Sequence, residues 1–395
     1  MIFTLYHSQG AWRKPTALIL SFLLIASMLS LSAQTSQLLL VGILLGFTFI
    51  HFGFGFTGCW RQFMEEKKSA GIKSHLWLLA LGSLLFFPAL NLLPDYDIAV
   101  QGAIRPLGAN VIFGAFIFGV GMALAGTCSS GTLRLLGEFK FRFYWVFLCM
   151  IIGGTFAAYQ FEFWLTFSQW NVFSFATEFH WLIGLLINLT IISFLYLIFS
   201  TIEKRRHGTI APLLDKNNAQ YTWGISPLIW AVALLALLNF AVLILAGQPW
   251  AVSWIFPKLG VVAIELFSLE IDWDFWEFSA INETGLNKPL SEDTIFLTSL
   301  GFFIGVAIYH LISHLTHSPT KNRKTNLPPF KIRTIFLTTI AGLLMGYGAV
   351  IAYGCNIGGF FSAIISGSLH GWVWFASAFI GMWLMLFIMR KFKPL

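Results

Sequence analysis

Charge is what this 395-residue chain has least of: Asp, Glu, Lys and Arg together make up 10% of it, against 57% hydrophobic residues. With a mean hydropathy of +0.78, that balance excludes a soluble globular protein and points to a chain that crosses a membrane many times. Cysteine is scarce as well. Cys59, Cys128, Cys149 and Cys355 stand singly, with no C-x-x-C pair and no Cys/His cluster of zinc spacing. Neither a disulfide framework nor a structural metal site is expected, and the thiols should be free. No acidic pair falls inside an apolar run, so no proton-coupling carboxylate is evident. The net charge of +7 would suggest nucleic acid for a soluble domain. Here the basic residues sit in short loops, where they set orientation, and neither a nucleic-acid partner nor a cofactor is expected.

What the chain has in abundance fits the same picture. Forty-two Phe and sixteen Trp suit lipid-facing and interfacial surfaces, and thirty-five Gly suit close helix contacts and broken helices. Since roughly 20 apolar residues span a bilayer, ten spans are expected, at 16–33, 38–58, 75–92, 108–127, 143–165, 178–200, 226–246, 294–317, 332–354 and 372–389. The basic stretches at 65–73, 140–142, 204–206, 321–333 and 390–393 all fall on one side of that count. By the positive-inside rule this places both termini in the cytoplasm. The acidic stretch at 270–293 falls on the other side.

One short pattern is written twice. GVGMALAGTCSSG at 119–131 and GYGAVIAYGCNIG at 346–358 share the frame G-x-G-x3-A-x2-C-x2-G, with Cys128 and Cys355 at the same place. On the ten-span count the two copies run in opposite directions. The expected fold is therefore an all-α polytopic membrane protein built as an inverted-topology repeat. Its divisions are an extra leading helix at 1–37, a first repeat at 38–177, a connector helix and basic loop at 178–224, and a second repeat at 225–395.

After each patterned cysteine comes a segment too short to cross, 129–137 and 356–366, and similar segments follow Gly58-Cys59 and Gly247-Gln248-Pro249. Four re-entrant half-helices meeting near the midplane are expected, with Ser129, Ser130 and Asn356 capping their starts. A helix N-terminus carries unpaired N–H groups and roughly half a positive charge, so several converging on one point form an anion site. Thiols suit a soft sulfur or selenium atom, and a small sulfur-bearing oxyanion satisfies both features.

Three stretches then carry a family resemblance: GFTGCWRQF (55–63), GVGMALAGTCSSGTLRLLGE (119–138) and GYGAVIAYGCNIGGFFSAIISGSLHGWVW (346–374). They resemble the signature segments of the YeeE/YedE sulfur-transport family, bacterial inner-membrane proteins that take up thiosulfate. The resemblance implies that Cys59, Cys128 and Cys355 pass thiosulfate along by transient S–H···S hydrogen bonds, without a lasting covalent bond. It also implies a possible TusA-like sulfurtransferase partner in the cytoplasm, and selenium compounds as an alternative cargo. A membrane thiol oxidoreductase is the competing class, against which the lack of C-x-x-C argues.

The expected pathway adds Gly58, Gly121, Gly131, Gly348, Gly354 and Gly358 to the three cysteines. The G-x-G-x3-A frame equally suits small-residue helix packing. Arg61 and Arg134 could attract the anion or snorkel to the basic side. Cys149 reads as packing, and His51 and His370 as structural hydrogen-bonding residues.

Overall fold

The structure is a computed structural model that describes residues 32–210, 212–213, 225–268, 289–316 and 332–391. Nearly all of the expected leading span at 16–33 and most of the acidic stretch at 270–293 lie outside the described residues. In the first part of the chain, α1 is Ala33–His51, α2 Phe56–Glu66, α3 Ala70–Leu92, α4 Ala109–Ala125, α5 Ser129–Gly137 and α6 Phe141–Tyr159. Two short helices, α7 (Phe161–Leu165) and α8 (Phe175–Glu178), lead to α9, Trp181–His207. Then come α10 (Pro227–Ala246), α11 (Ile255–Leu266), α12 (Thr294–Thr316), α13 (Ile332–Ile351), a π-wound segment Asn356–Ser362 continued by α14 (Ala363–Ile365), and α15 (Leu369–Lys391).

Among the described residues nine helical stretches are long and apolar enough to cross a membrane. Each coincides with one of the spans expected after the first, and the chain is an all-α multi-pass membrane protein. Large apolar side chains such as Ile152, Phe156, Phe194, Leu197 and Phe387 stay exposed on the outside of the bundle, as lipid-facing residues do.

Lipid is as apolar as leucine, so helices associate through close packing of small residues. α1 and α12 show this: a Cβ on Gly42 would strike the Thr298 carbonyl, and one on Gly301 the Leu39 carbonyl. The repeated G-x-G does the same twice over. Gly119 lies against Ala378 of α15 and Gly121 against Ala341 and Met345 of α13. In the second copy Gly346 lies against Met150 of α6 and Gly348 against Gly114 of α4. Each pattern helix is thus gripped on two sides, and its two glycines face two different neighbours.

Four long helices stop at a residue with left-handed backbone before a short segment begins: Gly53 (φ 61°), Gly126 (φ 73°), Gly247 (φ 72°) and Tyr353 (φ 57°). The first stop corrects the expected span at 38–58. α1 ends at His51 and α2 starts at Phe56, because the helix breaks at Gly53, where the backbone is left-handed, ahead of Gly58-Cys59. A two-residue antiparallel ladder, Leu107 opposite Trp170 and Gly108 opposite Gln169, ties two loops together. At another edge α9 is fastened to α3 by a buried ion pair, Lys73 Nζ to Glu203 Oε2 at 3.6 Å, with the Ser69 hydroxyl donating to the same carboxylate at 2.5 Å.

Candidate functional site

The site is built by two interrupted helices. α4 stops at Gly126, the chain runs extended through Cys128 (φ −109°, ψ −174°), and α5 begins at Ser129. In the second copy the chain leaves α13, passes Tyr353 and Gly354, and is extended at Cys355 (φ −96°, ψ −162°) before the π-wound segment begins at Asn356. Both cysteines therefore occupy the N-cap position, and neither helix start has a side-chain cap. This corrects the expectation that Ser129, Ser130 and Asn356 cap the half-helices. They stand one or two residues too late, and the position whose side chain can reach back to the first turn belongs to cysteine.

Cys128 and Cys355 are each 1% exposed and lie within electrostatic reach of one another. The Ser130 hydroxyl is 3.4 Å from Cys128 Sγ. Cys355 Sγ is met by the backbone N–H groups of Ile357 and Gly358 and by the Ser253 hydroxyl. Around them the Ser129 hydroxyl and both polar atoms of the Asn356 amide are buried with no protein partner. Neither helix start carries an acidic residue in its first turn. Two helix N-termini, a hydroxyl and an amide without protein partners, and no carboxylate in either first turn, form an environment for a small anion. The Trp374 indole braces the second turn by donating to the Gly354 carbonyl at 2.9 Å.

Two further short segments pack beside this pair. Ser253 comes from the 3-10 turn Val252–Trp254 ahead of α11. The turn is held in place by Trp250, whose backbone N–H donates to Asn239 Oδ1 at 3.0 Å and whose carbonyl accepts from Ser362 at 3.1 Å. α2 contributes an aromatic wall: Trp60 meets Phe360 at 5.7 Å and Phe375 at 5.3 Å. His75 stacks on Phe56 at 4.6 Å, and both its ring nitrogens are buried without a partner.

The remaining expected residues divide. Cys59 sits one turn inside α2, half-buried, with Gly71 of α3 directly against its Sγ; it is not an N-cap. Gly358 faces Ala251 and Ser253, Gly131 lies beside Cys128 Sγ, and Gly354 (φ 155°) has no room for a Cβ against Gly359. Around Gly58 there is open space. Gly121 and Gly348 are in helix contacts, away from the breaks. Arg61 pairs with Glu65 at 3.4 Å and Arg134 with Glu138 at 2.8 Å, so each guanidinium already has a carboxylate four residues on. His51 bonds Tyr309 at 2.8 Å. Cys149 is buried against Gly342.

Sequence reasoning missed Ser253, His75, Tyr353 and Arg105. For Tyr353 a signal was present: the 227-residue offset sets it opposite Gly126, at a place that demands left-handed backbone. The other three had none, because a lone polar residue in an apolar run shows no partner in sequence.

Comparison with known proteins finds relatives that align with most of the chain. The chain is 26% identical over 373 residues to the thiosulfate transporter TsuA of Spirochaeta thermophila, covering 89% of this chain and 98% of that one. It is 23% identical over 361 residues to the Escherichia coli protein of the same name, covering 87% and 92%. A probable transporter, YedE of Escherichia coli, is 28% identical over 162 residues, which is 41% of this chain but only 36% of that protein's length. The sequence model of a family described as sulphur transport matches residues 51–384, and the chain belongs to that family.

Proposed function

We propose that this protein carries thiosulfate, a small sulfur-bearing dianion, across the bacterial inner membrane into the cytoplasm. The observation that carries the reading is the pair of buried N-cap cysteines, Cys128 and Cys355, each at the start of an interrupted helix with donors left free around it. Thiosulfate has two unlike ends. Its oxygens accept hydrogen bonds from helix N-terminal N–H groups and from the Ser129 and Asn356 side chains. Its terminal sulfur is soft and polarizable, and a thiol proton directed at it forms a weak S–H···S hydrogen bond that breaks as readily as it forms. The ion moves between Cys128 and Cys355, with Cys59 as a third station on the α2 side, and no covalent bond is made.

The architecture that serves this is an inverted repeat of residues 38–177 and 225–395, with four half-helices entering from the two sides and both termini in the cytoplasm. Reciprocal packing supports it. α1 packs on α12 as α10 packs on α3, and α6 packs on α13 as α15 packs on α4. That is the pattern expected if α1 to α6 correspond in order to α10 to α15, with α9 as the connector.

The test is growth on thiosulfate as sole sulfur source in cells lacking their own uptake. Cys128→Ala and Cys355→Ala should each abolish growth while the protein is still found in the membrane at wild-type level. Normal growth of both variants would overturn the cysteine pathway.

A further inference from the structure

Arg105 lies in the loop between α3 and α4, partly buried, and among the described residues no carboxylate pairs with it. The side-chain hydrogen bond it makes is a marginal one, from its guanidinium to the carbonyl of its own neighbour Ile104 at 3.5 Å. Burial pulls the guanidinium below arginine's ordinary range, and the nearby Tyr353 hydroxyl works in the opposite sense. Arginine keeps its charge in a protein. A covered guanidinium without a counter-ion is therefore held at a cost in free energy that an arriving anion relieves.

Two further side chains converge there. His370 is 1% exposed; its Nδ1 is 2.8 Å from the Ser368 hydroxyl, while its Nε2 has no partner. The Ser368 oxygen also accepts the Arg105 backbone N–H at 3.4 Å, and its own hydrogen is free to donate to Nδ1. With the hydroxyl donating to Nδ1, the neutral ring carries its proton on Nε2, where it faces the site as a buried donor with no protein partner. Arg105 is within electrostatic reach of this ring. Tyr353 completes the group, its ring 6.3 Å from that of His370. Of the four junction residues with left-handed backbone it alone is not glycine. A bulky residue there costs about 1–2 kcal/mol, and backbone strain of this kind persists where the side chain serves a site.

The geometry points to an anion-loading site at Arg105, His370 Nε2 and the Tyr353 hydroxyl, two residues along the chain from Cys355, that takes a small divalent oxyanion before it reaches the N-cap cysteines. It deepens the thiosulfate reading and rests on it. In the proposed orientation the 97–108 loop is outside, so this site is the first the incoming ion meets.

The experiment compares wild type, Arg105→Gln, Arg105→Lys, His370→Gln and Tyr353→Phe in proteoliposomes, measuring uptake of labelled thiosulfate, with a thermal melt of each purified protein. Arg105→Gln should raise KM about tenfold or more and leave Vmax within about twofold, because a charge contact made on binding is lost. Arg105→Lys should recover most of the affinity. His370→Gln and Tyr353→Phe should each give a smaller rise in KM. A KM for Arg105→Gln within about twofold of wild type overturns the loading site, as does a fall in Vmax and melting temperature with KM unchanged. If Cys355→Ala is inactive while Arg105→Gln behaves as wild type, the cysteine pathway stands and the loading site falls. If wild type ignores thiosulfate but takes up sulfate or selenite, the cargo reading falls, and the same KM comparison with that anion decides the site. Failure of wild type to take up any of the three overturns both.

Discussion

Cys128 and Cys355 hold a helix position that usually belongs to serine, threonine, aspartate or asparagine. An oxygen there would accept a first-turn N–H and close the helix end. A thiol is a poor acceptor, so the Ile357 and Gly358 N–H groups that meet Cys355 Sγ are held only weakly and can turn to an ion. Cysteine at this position thus keeps the helix start open and supplies a soft donor in the same atom. Cys355→Ser should therefore cap its own helix. We expect it to raise stability by about 0.5–1 kcal/mol, read as a higher melting temperature, and to lower thiosulfate uptake by about tenfold as donors are taken up internally. Unchanged uptake with unchanged melting would mean that these donors do not meet the cargo. Cys59 is a different case within the same family of residues. It lies inside its helix against Gly71, and the sequence placed it at a break only because Gly58 precedes it.

At the scale of the element, the repeated G-x-G-x3-A-x2-C-x2-G frame separates into two parts with different tasks. Its paired glycines let α4 and α13 lie against each other and against α15 and α6, while the cysteine and the final glycine belong to the break. Substitution should separate the two. At Gly346 a side chain would run into the Met150 backbone, which cannot yield, so Gly346→Val should cost about 1–3 kcal/mol or more through overpacking. It should sharply reduce the folded protein recovered from membranes. At Gly358 an added Cβ meets Ala251 at 3.4 Å, ordinary contact, so Gly358→Ala should be recovered normally and show its effect in transport. Recovery of Gly346→Val at wild-type level would show that the helix pair tolerates separation. The positions of nine helices were legible in sequence, since twenty-residue apolar runs need no knowledge of neighbours. The first break was not, because Gly53 and Gly58 are equally glycine and only packing selects which one turns.

For the whole molecule, α9 is fastened to α3 by charges buried among apolar residues. Lys73 and Glu203 are 1% and 2% exposed, and the ammonium also lies 5.5 Å from the Tyr196 ring. Removing one partner leaves the other charge without its counter-ion in a dry site. Glu203→Leu should destabilise the protein by about 3–5 kcal/mol, and adding Lys73→Met should restore most of the loss. Thermal melts of the single and double variants measure this, and a double variant no more stable than the single would refute it. Transport has its own energy requirement at this scale. For thiosulfate as the proposed cargo, entry of a dianion against an inside-negative potential costs about 2.3 kcal/mol per charge at 100 mV, which ion coupling or consumption of the cargo inside would offset.

The sequence by itself determined that the chain is a multi-pass helical membrane protein, which apolar runs to span, and which two cysteines share a repeated break. These follow from hydropathy, charge and glycine spacing, which act along the chain. The tertiary structure decided that cysteine and not serine holds the N-cap position at the two breaks, that Gly121 and Gly348 pack helices, and that Arg61 and Arg134 are already paired. It also brought Ser253 to Cys355 and Arg105 to His370 across long stretches of chain. Such meetings depend on which helix faces lie together in three dimensions, and in a chain with so little charge a single polar residue gives no sign of the partner it will find.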